Sequence, residues 1–474
     1  MDQIPDHVLI EIFNYFGCSS LKTLMNVCVR WSNLIKTSRK VTKKFNLTLT
    51  NSANGVIKID DPLPDGSHSD LVIISKDSQN KSNPEFMKVL SENVENHKNS
   101  LQKLNLRGCY YVHAEVVEQK LSLFCDFIKE VEITDCMVSN NENLKELKWR
   151  NLRSLRIDKS CADFMLFFQN SQLQKLELSS AKNTLDTNSK LATFWKNQRK
   201  LKEFKITKTE IPLDILLDVL GHHNLSRLEL DIKMISLNSD LIIELAKDSH
   251  WKKLSFLNGP CRDKACMTVK NIIAAHPCID ELEFHKTSFN ESDFVMSHIN
   301  NHLPHIQHLR LPLNYGSLKF NEVIKFEKLE VLEIEGIKYR LSVQKLFKIL
   351  RMSRNLKVLR IYWVGHHARV SNDFFKNIFE SLEDLQELHI GYKTDTFEIT
   401  DEFLDVIKIN GKNLKKLTTY SDKVEDLQDK MRIFDGSKVK CVVLDKNYED
   451  MMDHKASFFK CNEFKTAATC VWSS

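Results

Sequence analysis

A six-residue pattern, apolar at its first, fourth and sixth positions, sets what this chain can become. It reads LQKLNL at Leu101, LRSLRI at Leu152, LQKLEL at Leu173, LSRLEL at Leu225 and LEVLEI at Leu329. Further copies are IKEVEI at Ile128, LKEFKI at Leu201, WKKLSF at Trp251, IDELEF at Ile279, IQHLRL at Ile306, LKVLRI at Leu356, LQELHI at Leu385, LKKLTT at Leu414 and VKCVVL at Val439. The fourteen copies extend over 338 residues at a mean spacing of 26.

That period lies inside the range of roughly 20–29 residues of leucine-rich repeats. Alternation about positions 4 and 6 predicts a short strand with one buried face, and patterns such as DFFKNIFESL, Asp373 to Leu382, predict helices between strands. One such unit cannot bury its own apolar face, whereas stacked neighbours share a core. The expected fold is α/β: a solenoid at 101–445, a curved horseshoe with a parallel concave sheet and outer helices. FNLTL at Phe45 and LVII at Leu71, either side of the DDPLPDGSHSD loop, predict degenerate entry strands within 41–100. Past Leu444 the rhythm stops, leaving 446–474 as a cap or tail.

Composition narrows the class. Apolar residues at 42% and charged residues at 28% suit a folded, soluble chain. Lys plus Arg number 68 against 63 Asp plus Glu, with the signs mixed, so there is no basic stripe for nucleic acid. The run from Lys36 to Lys44 reads as a solvated linker. Neither a signal peptide nor a membrane-length apolar run is present, which leads to the expectation of a cytoplasmic or nuclear protein. Twelve scattered cysteines then read as buried thiols, and the Asn-x-Ser/Thr matches at Asn46, Asn80, Asn224 and Asn290 as chance. With 12 Gly and 9 Pro, the chain has no Gly-rich phosphate loop.

Ahead of the repeats, IPDHVLIEIFNYFGCSSLKTLMNVCVRWSNLI carries more apolar surface than some forty residues can hide. Pro5 suits a first helical position, and Leu9, Ile12, Phe13 and Phe16 then share one face up to Gly17. Ser19 or Ser20 can cap a second helix carrying Leu21, Leu24 and Met25. Val27, Cys28, Trp31, Leu34 and Ile35 supply a third apolar stripe.

Ile4-Pro5-Asp6, Val8-Leu9, Ile12-Phe13, Phe16, Leu21, Leu24 and Val27-Cys28-x-x-Trp31 together resemble the F-box motif, over residues 1–40. Ile4 stands where that family usually has Leu, and Phe16 also replaces a Leu. With the repeats, the whole chain resembles the F-box/leucine-rich-repeat family, including its Leu-x-x-Leu-x-Leu-x-x-Cys subtype at Leu101–Cys109 and Ile128–Cys136. Most other repeats lack that Cys. The resemblance implies a substrate-recognition subunit of an SCF ubiquitin ligase, directing targets to proteasomal degradation. Its F-box would bind the Skp adaptor and, through it, the cullin scaffold and RING subunit, while the repeats bind the protein substrate. Candidate adaptor contacts are Pro5, Leu9, Ile12, Phe13, Phe16, Leu24, Val27 and Trp31, of which Leu24 and Val27 in particular could instead hold the helices together. A non-degradative interaction scaffold is the alternative.

No catalytic residues, cofactor or metal site are expected. His222-His223 and His366-His367 lack metalloprotease spacing, and Cys261-x4-Cys266 has no second pair. Positions 3, 5 and 7 project from the concave face. The early rows, Lys103, Asn105, Arg107, Glu130, Glu132, Thr134, Glu203, Lys205 and Thr207, read as solvated. Later rows offer His308, Arg310, Val331, Val358, Arg360, Tyr362, His389 and Tyr420, a composition suited to a substrate-binding surface, unless the tail folds back over them.

Overall fold

In the computed structural model every copy of the pattern yields a strand. The residues described are 4–14, 16, 18–38, 41, 46–51, 57–60, 68, 70–75, 84–140, 147–181, 194–209, 219, 224–231, 250–261, 263–289, 296–312, 326–337, 340–364, 372–391, 400–421, 430, 432–434, 439–445 and 470–472. They fall into two compact units, one comprising residues 1–226 and the other opening at Arg227. No described helix is long and apolar enough to cross a membrane.

Helices α1 (Asp6–Phe13), α2 (Cys18–Met25) and α3 (Val29–Thr37) open the first unit. Pro5 stands one residue ahead of α1, with extended backbone, and its carbonyl accepts the amides of Val8 and Leu9 at 3.0 and 3.1 Å. It caps the helix from outside, where the sequence had suggested its first turn. Likewise α2 starts at Cys18, so Ser19 and Ser20 lie inside the first turn. Leu9, Phe13, Leu21, Ile35 and Val41 make a small buried core, and Trp31 stands edge-on to Phe13 at 5.3 Å between centroids.

Strands β1 (Asn46–Asn51), β2 (Ile57–Asp60), β3 (Asp70–Ser75), β4 (Lys103–Arg107), β5 (Tyr110–His113), β6 (Glu130–Thr134), β7 (Met137–Asn140), β8 (Ser154–Asp158), β9 (Lys175–Ser179) and β10 (Glu203–Thr207) follow. The main sheet runs β2-β1-β3-β4-β6-β8-β9-β10 and is parallel except for β1 against β2. β5 and β7 form a small parallel pair. The entry strands continue the repeat register, with Leu47, Leu71 and Leu104 aligned, and Leu49, Ile73 and Leu106 beside them, all at most 1% exposed. Helices α4 (Pro84–His97) and α5 (Ala114–Ser122) and a 3-10 turn at Ala162–Phe168 supply buried residues such as Leu90, Val117 and Phe167.

The turn leaving each strand repeats too. Gly108, Asp135, Lys159, Ser180 and Lys208, each in position 8, have φ of +59°, +52°, +51°, +49° and +50°. The amides of Gly108, Asp135, Lys159 and Ser180 donate to the carbonyls of Thr134, Asp158, Ser179 and Thr207 in the next repeat. One residue on, a side chain completes the joint. Cys136 Sγ accepts the Cys109 amide at 3.4 Å, Ser160 Oγ the Cys136 amide at 2.9 Å, and Thr209 Oγ1 the Ala181 amide at 3.0 Å. Each also donates to the carbonyl two residues behind it. Ser160 and Thr209 therefore do the work of the missing cysteines.

The second unit carries β11 (Arg227–Asp231), β12 (Lys253–Cys261), β13 (Glu281–Phe289), β14 (His308–Pro312), β15 (Val331–Ile337), β16 (Val358–Val364), β17 (Glu387–Ile390), β18 (Lys416–Ser421), β19 (Lys440–Asp445) and β20 (Cys470–Trp472). β11 to β19 pair in sequence order and in parallel, and β20 lies antiparallel to β19. Between them come α6 (Asp263–Ala275), α7 (Met296–His302), α8 (Arg340–Arg351), α9 (Asn372–Ser381) and α10 (Asp401–Asn410). Phe374, Phe375, Ile378 and Phe379 of α9 are buried at the spacing of one helical face, and Phe375 meets Phe403 of α10 at 4.3 Å. Thr400 Oγ1 caps α10 by accepting the Phe403 amide.

One copy of the pattern is misaligned by a residue. Leu417 pairs with Cys441 and Thr419 with Val443, so Cys441 is the core residue of β19 and the apolar set Val439, Val442, Leu444 is out of register. Cys441 is 2% exposed. A run of four apolar residues fits either face, and pairing to β18 decides which is buried.

Candidate protein-interaction surfaces

Among the described residues nine large apolar side chains are exposed, and five belong to the N-terminal helices and the turns between them: Val8, Ile12, Phe16, Val27 and Val29. Val8, Ile12 and Phe16 are spaced by four, one stripe of α1 and its continuation. Leu9 and Phe13, one residue further round, are 2% and 1% exposed and face the domain's own core. Leu24 and Trp31 are half-buried against that core, Pro5 is exposed, and Val27, a candidate adaptor contact, is 55% exposed. Val8, part of the F-box resemblance, and Val29 are not among the candidate contacts from sequence, yet both are exposed.

Arg30 ties the two groups together. Its Nη2 donates to the Ile4 carbonyl and to Asp6 Oδ1, both at 2.6 Å, and its Nε to Asp6 Oδ1 at 3.0 Å. The start of α3, with Val29 and the preceding Val27, is thereby held near the start of α1.

The strand face opposite the leucine rows is not a solvated row of charges. In the first unit Asn105, Glu132, Glu177 and Thr207 are buried, and Lys103 reaches Glu132 at 2.8 Å while Arg156 and Lys205 flank Glu177 at 3.6 and 3.8 Å. Strands about 4.8 Å apart set opposite charges side by side, and their stems cover one another. Of the nine residues expected to be solvated here, Asn105, Glu132 and Thr207 are instead buried, while Glu130 is exposed and the other five are half-buried.

The second unit repeats the arrangement more densely. Position 5 reads Glu283, Arg310, Glu333, Arg360 and His389 across β13 to β17, aligned residue to residue. Arg310 is 2% exposed, with Nη1 donating to Glu333 at 3.0 Å and Nε to Glu335 at 3.0 Å, while its guanidinium carbon lies 5.0 Å from the centre of the Tyr362 ring. Arg360 pairs with Glu333, and His308 Nε2 lies 3.2 Å from the same carboxylate. Burial alone would raise the Glu333 carboxyl, but the hydrogen bond from His308 and the charges of Arg310, His308 and Arg360 hold it far below the usual range. His389 is 6% exposed and 5.2 Å from the Tyr362 ring. Burial, then the Arg360 charge, pushes its imidazole down to about 4.

Of the expected substrate-facing residues, the structure thus gathers Arg310 and His389 as buried supports. His308, Val331, Val358, Arg360 and Tyr362 remain partly exposed around them. The Tyr420 side chain lies outside the described residues, as do His222-His223, His366-His367, the side chains of Cys261 and Cys266, and residues 446–469.

Glu281, Glu283 and His308 bring ligand atoms within 4.8 Å of one another. Lys253 Nζ already stands 3.1 Å from Glu281 and 2.6 Å from Glu283, which also accepts from Ser255 at 2.8 Å and lies 3.0 Å from His285. An ammonium holds the place a cation would take.

Residues 1–43 match the family model of the F-box domain. No curated protein matches the chain. Similar solved structures include an internalin, inlF, of Listeria monocytogenes, 15% identical over 68% of this chain and 74% of that one, with a TM-score of 0.29. The chain thus has an F-box domain ahead of a repeat sheet of leucine-rich pattern, an architecture of non-catalytic proteins that bind other proteins.

Proposed function

We propose that this chain, with its F-box at residues 1–43 and its leucine-rich-type repeats behind, is the substrate-recognition subunit of an SCF-type ubiquitin ligase. The observation that carries the reading is the exposed apolar set Val8, Ile12, Phe16, Val27 and Val29, all within the F-box match. Covering such side chains with a partner's helices contributes on the order of 1 kcal/mol each for the half-exposed ones. The partner is the Skp adaptor, with cullin and RING subunit behind it.

The repeats then choose the target. The assigned surface is Val331 and Val358, neighbours in register, with Tyr362, Arg360 and His308 around them. Because the charges beneath are paired within the chain, recognition would rest on apolar and hydrogen-bonding contacts more than on net charge. Fixing a target lysine near an activated ubiquitin replaces a dilute encounter by a high effective concentration.

Co-purification tests this. The unmodified chain should bring down adaptor and cullin; Ile12→Glu/Val27→Glu should lose both while its targets persist and its thermal melt is unchanged. Adaptor capture undiminished in that variant would refute the docking face, and a complex with adaptor but no cullin would favour a scaffold. Alanine at Val358 and Tyr362 should lower target capture and leave the adaptor bound.

A further inference from the structure

The end of the second sheet is built unlike the rest. β11 to β19 are parallel neighbours, but β20 is antiparallel to β19, and only three residue pairs form: Val443 with Cys470, Val442 with Val471 and Cys441 with Trp472. β19 is six residues long, so half of its length is paired on that side. Twenty-four residues separate Asp445 from Cys470. Three pairs at the end of so long a connection gain little beyond the entropy lost in ordering them and closing the loop.

What lies under this cover is an adhesive edge. β19 reads KCVVLD, four uncharged residues of strand-forming type between Lys440 and Asp445. An uncovered edge of that kind is a template for another strand. It is also self-complementary: two copies related by a two-fold axis through Val442 would set Cys441 of each opposite Val443 of the other. Cys441 belongs to the core row by its pairing to Leu417 and is 2% exposed, so the axis would bring the buried row of each copy up to the strand of the other.

We propose that β20 is a detachable cover, and that the β19 edge beneath it is a self-association surface for a second copy of this chain, pairing antiparallel with its own counterpart. Anything that draws residues 470–472 away would convert monomer to dimer.

The test uses the full chain and Val471→Pro, since proline in the middle of a three-residue strand removes a donor and disfavours pairing. In sedimentation experiments over a wide concentration range the unmodified chain stays monomeric, while Val471→Pro gives a dimer fraction roughly tenfold higher at the same concentration. Adding Val442→Lys, a charge of the kind that blunts edge strands, returns it to monomer. A Val471→Pro chain that remains monomeric throughout, or a dimer indifferent to Val442→Lys, overturns the proposal. A measurement on the unmodified chain stands apart from the folding of any variant. Among the amides of residues 441–443, those directed toward β20 should exchange faster than those directed toward β18; equal protection overturns the detachable cover.

Discussion

His389 gives the second unit a definite response to acid. Its ring is buried on β17 beside Arg360, with Lys416 adding to the repulsion and Glu333 and a backbone bond at Gly391 opposing it. The imidazole falls from an ordinary 6.5 to about 4 in the fold. The unfolded chain therefore binds more protons than the folded one between those two values. Stability from this group is complete above about pH 6.5 and drains away as pH falls toward 4. At about 1.4 kcal/mol per pH unit the loss is about 2 kcal/mol at pH 5 and about 3 kcal/mol at pH 4. His285, lowered by burial and by Arg310, adds to the same slope, whereas Glu283 and Glu333 act only below about pH 4.5. Urea unfolding at pH 7.5, 6 and 5, on the unmodified chain and on His389→Gln, separates the terms. The variant should lose about 2 kcal/mol less than the parent on going to pH 5. Equal losses in the two chains would refute the linkage through His389.

Two further outcomes follow from the turn column. Ser160→Ala removes the acceptor of the Cys136 amide in a buried joint and should cost about 1–3 kcal/mol, while Ser160→Cys should cost much less; thermal melts of the two variants decide it. Lys159, exposed at φ +51°, should accept Gly within about 0.5 kcal/mol, but Lys159→Val should cost about 1–2 kcal/mol, read in the same way.

The strand positions were legible because a buried leucine has few substitutes, so Leu104, Leu155 or Leu332 marks its row unaided. The joint at position 9 was not, because hydrogen bonding there asks for a small acceptor rather than a sulfur, and Ser160 and Thr209 qualify as well as Cys109 and Cys136. At β19 the apolar run Cys441–Leu444 left the register open, and only pairing with Leu417 fixed it. In the F-box, helical periodicity located the apolar side chains but not the boundary between two adjacent stripes. Leu9 and Phe13 turned inward, while Val8 and Ile12 stayed outside. Burial of Arg310 depended on Glu333 and Glu335, residues in a different repeat, and no single repeat contains that information.

The alternation of sign across β13 to β16 also constrains how long such an array can be. Remove the repeat that carries Arg310 and Glu283 would lie beside Glu333, two buried carboxylates in register with no guanidinium between them. Remove two consecutive repeats and the order of charges survives. Over this stretch the smallest length that can be gained or lost without a clash of like charges is a pair, so the repeat of the leucines is one unit long and the repeat of the electrostatics is two.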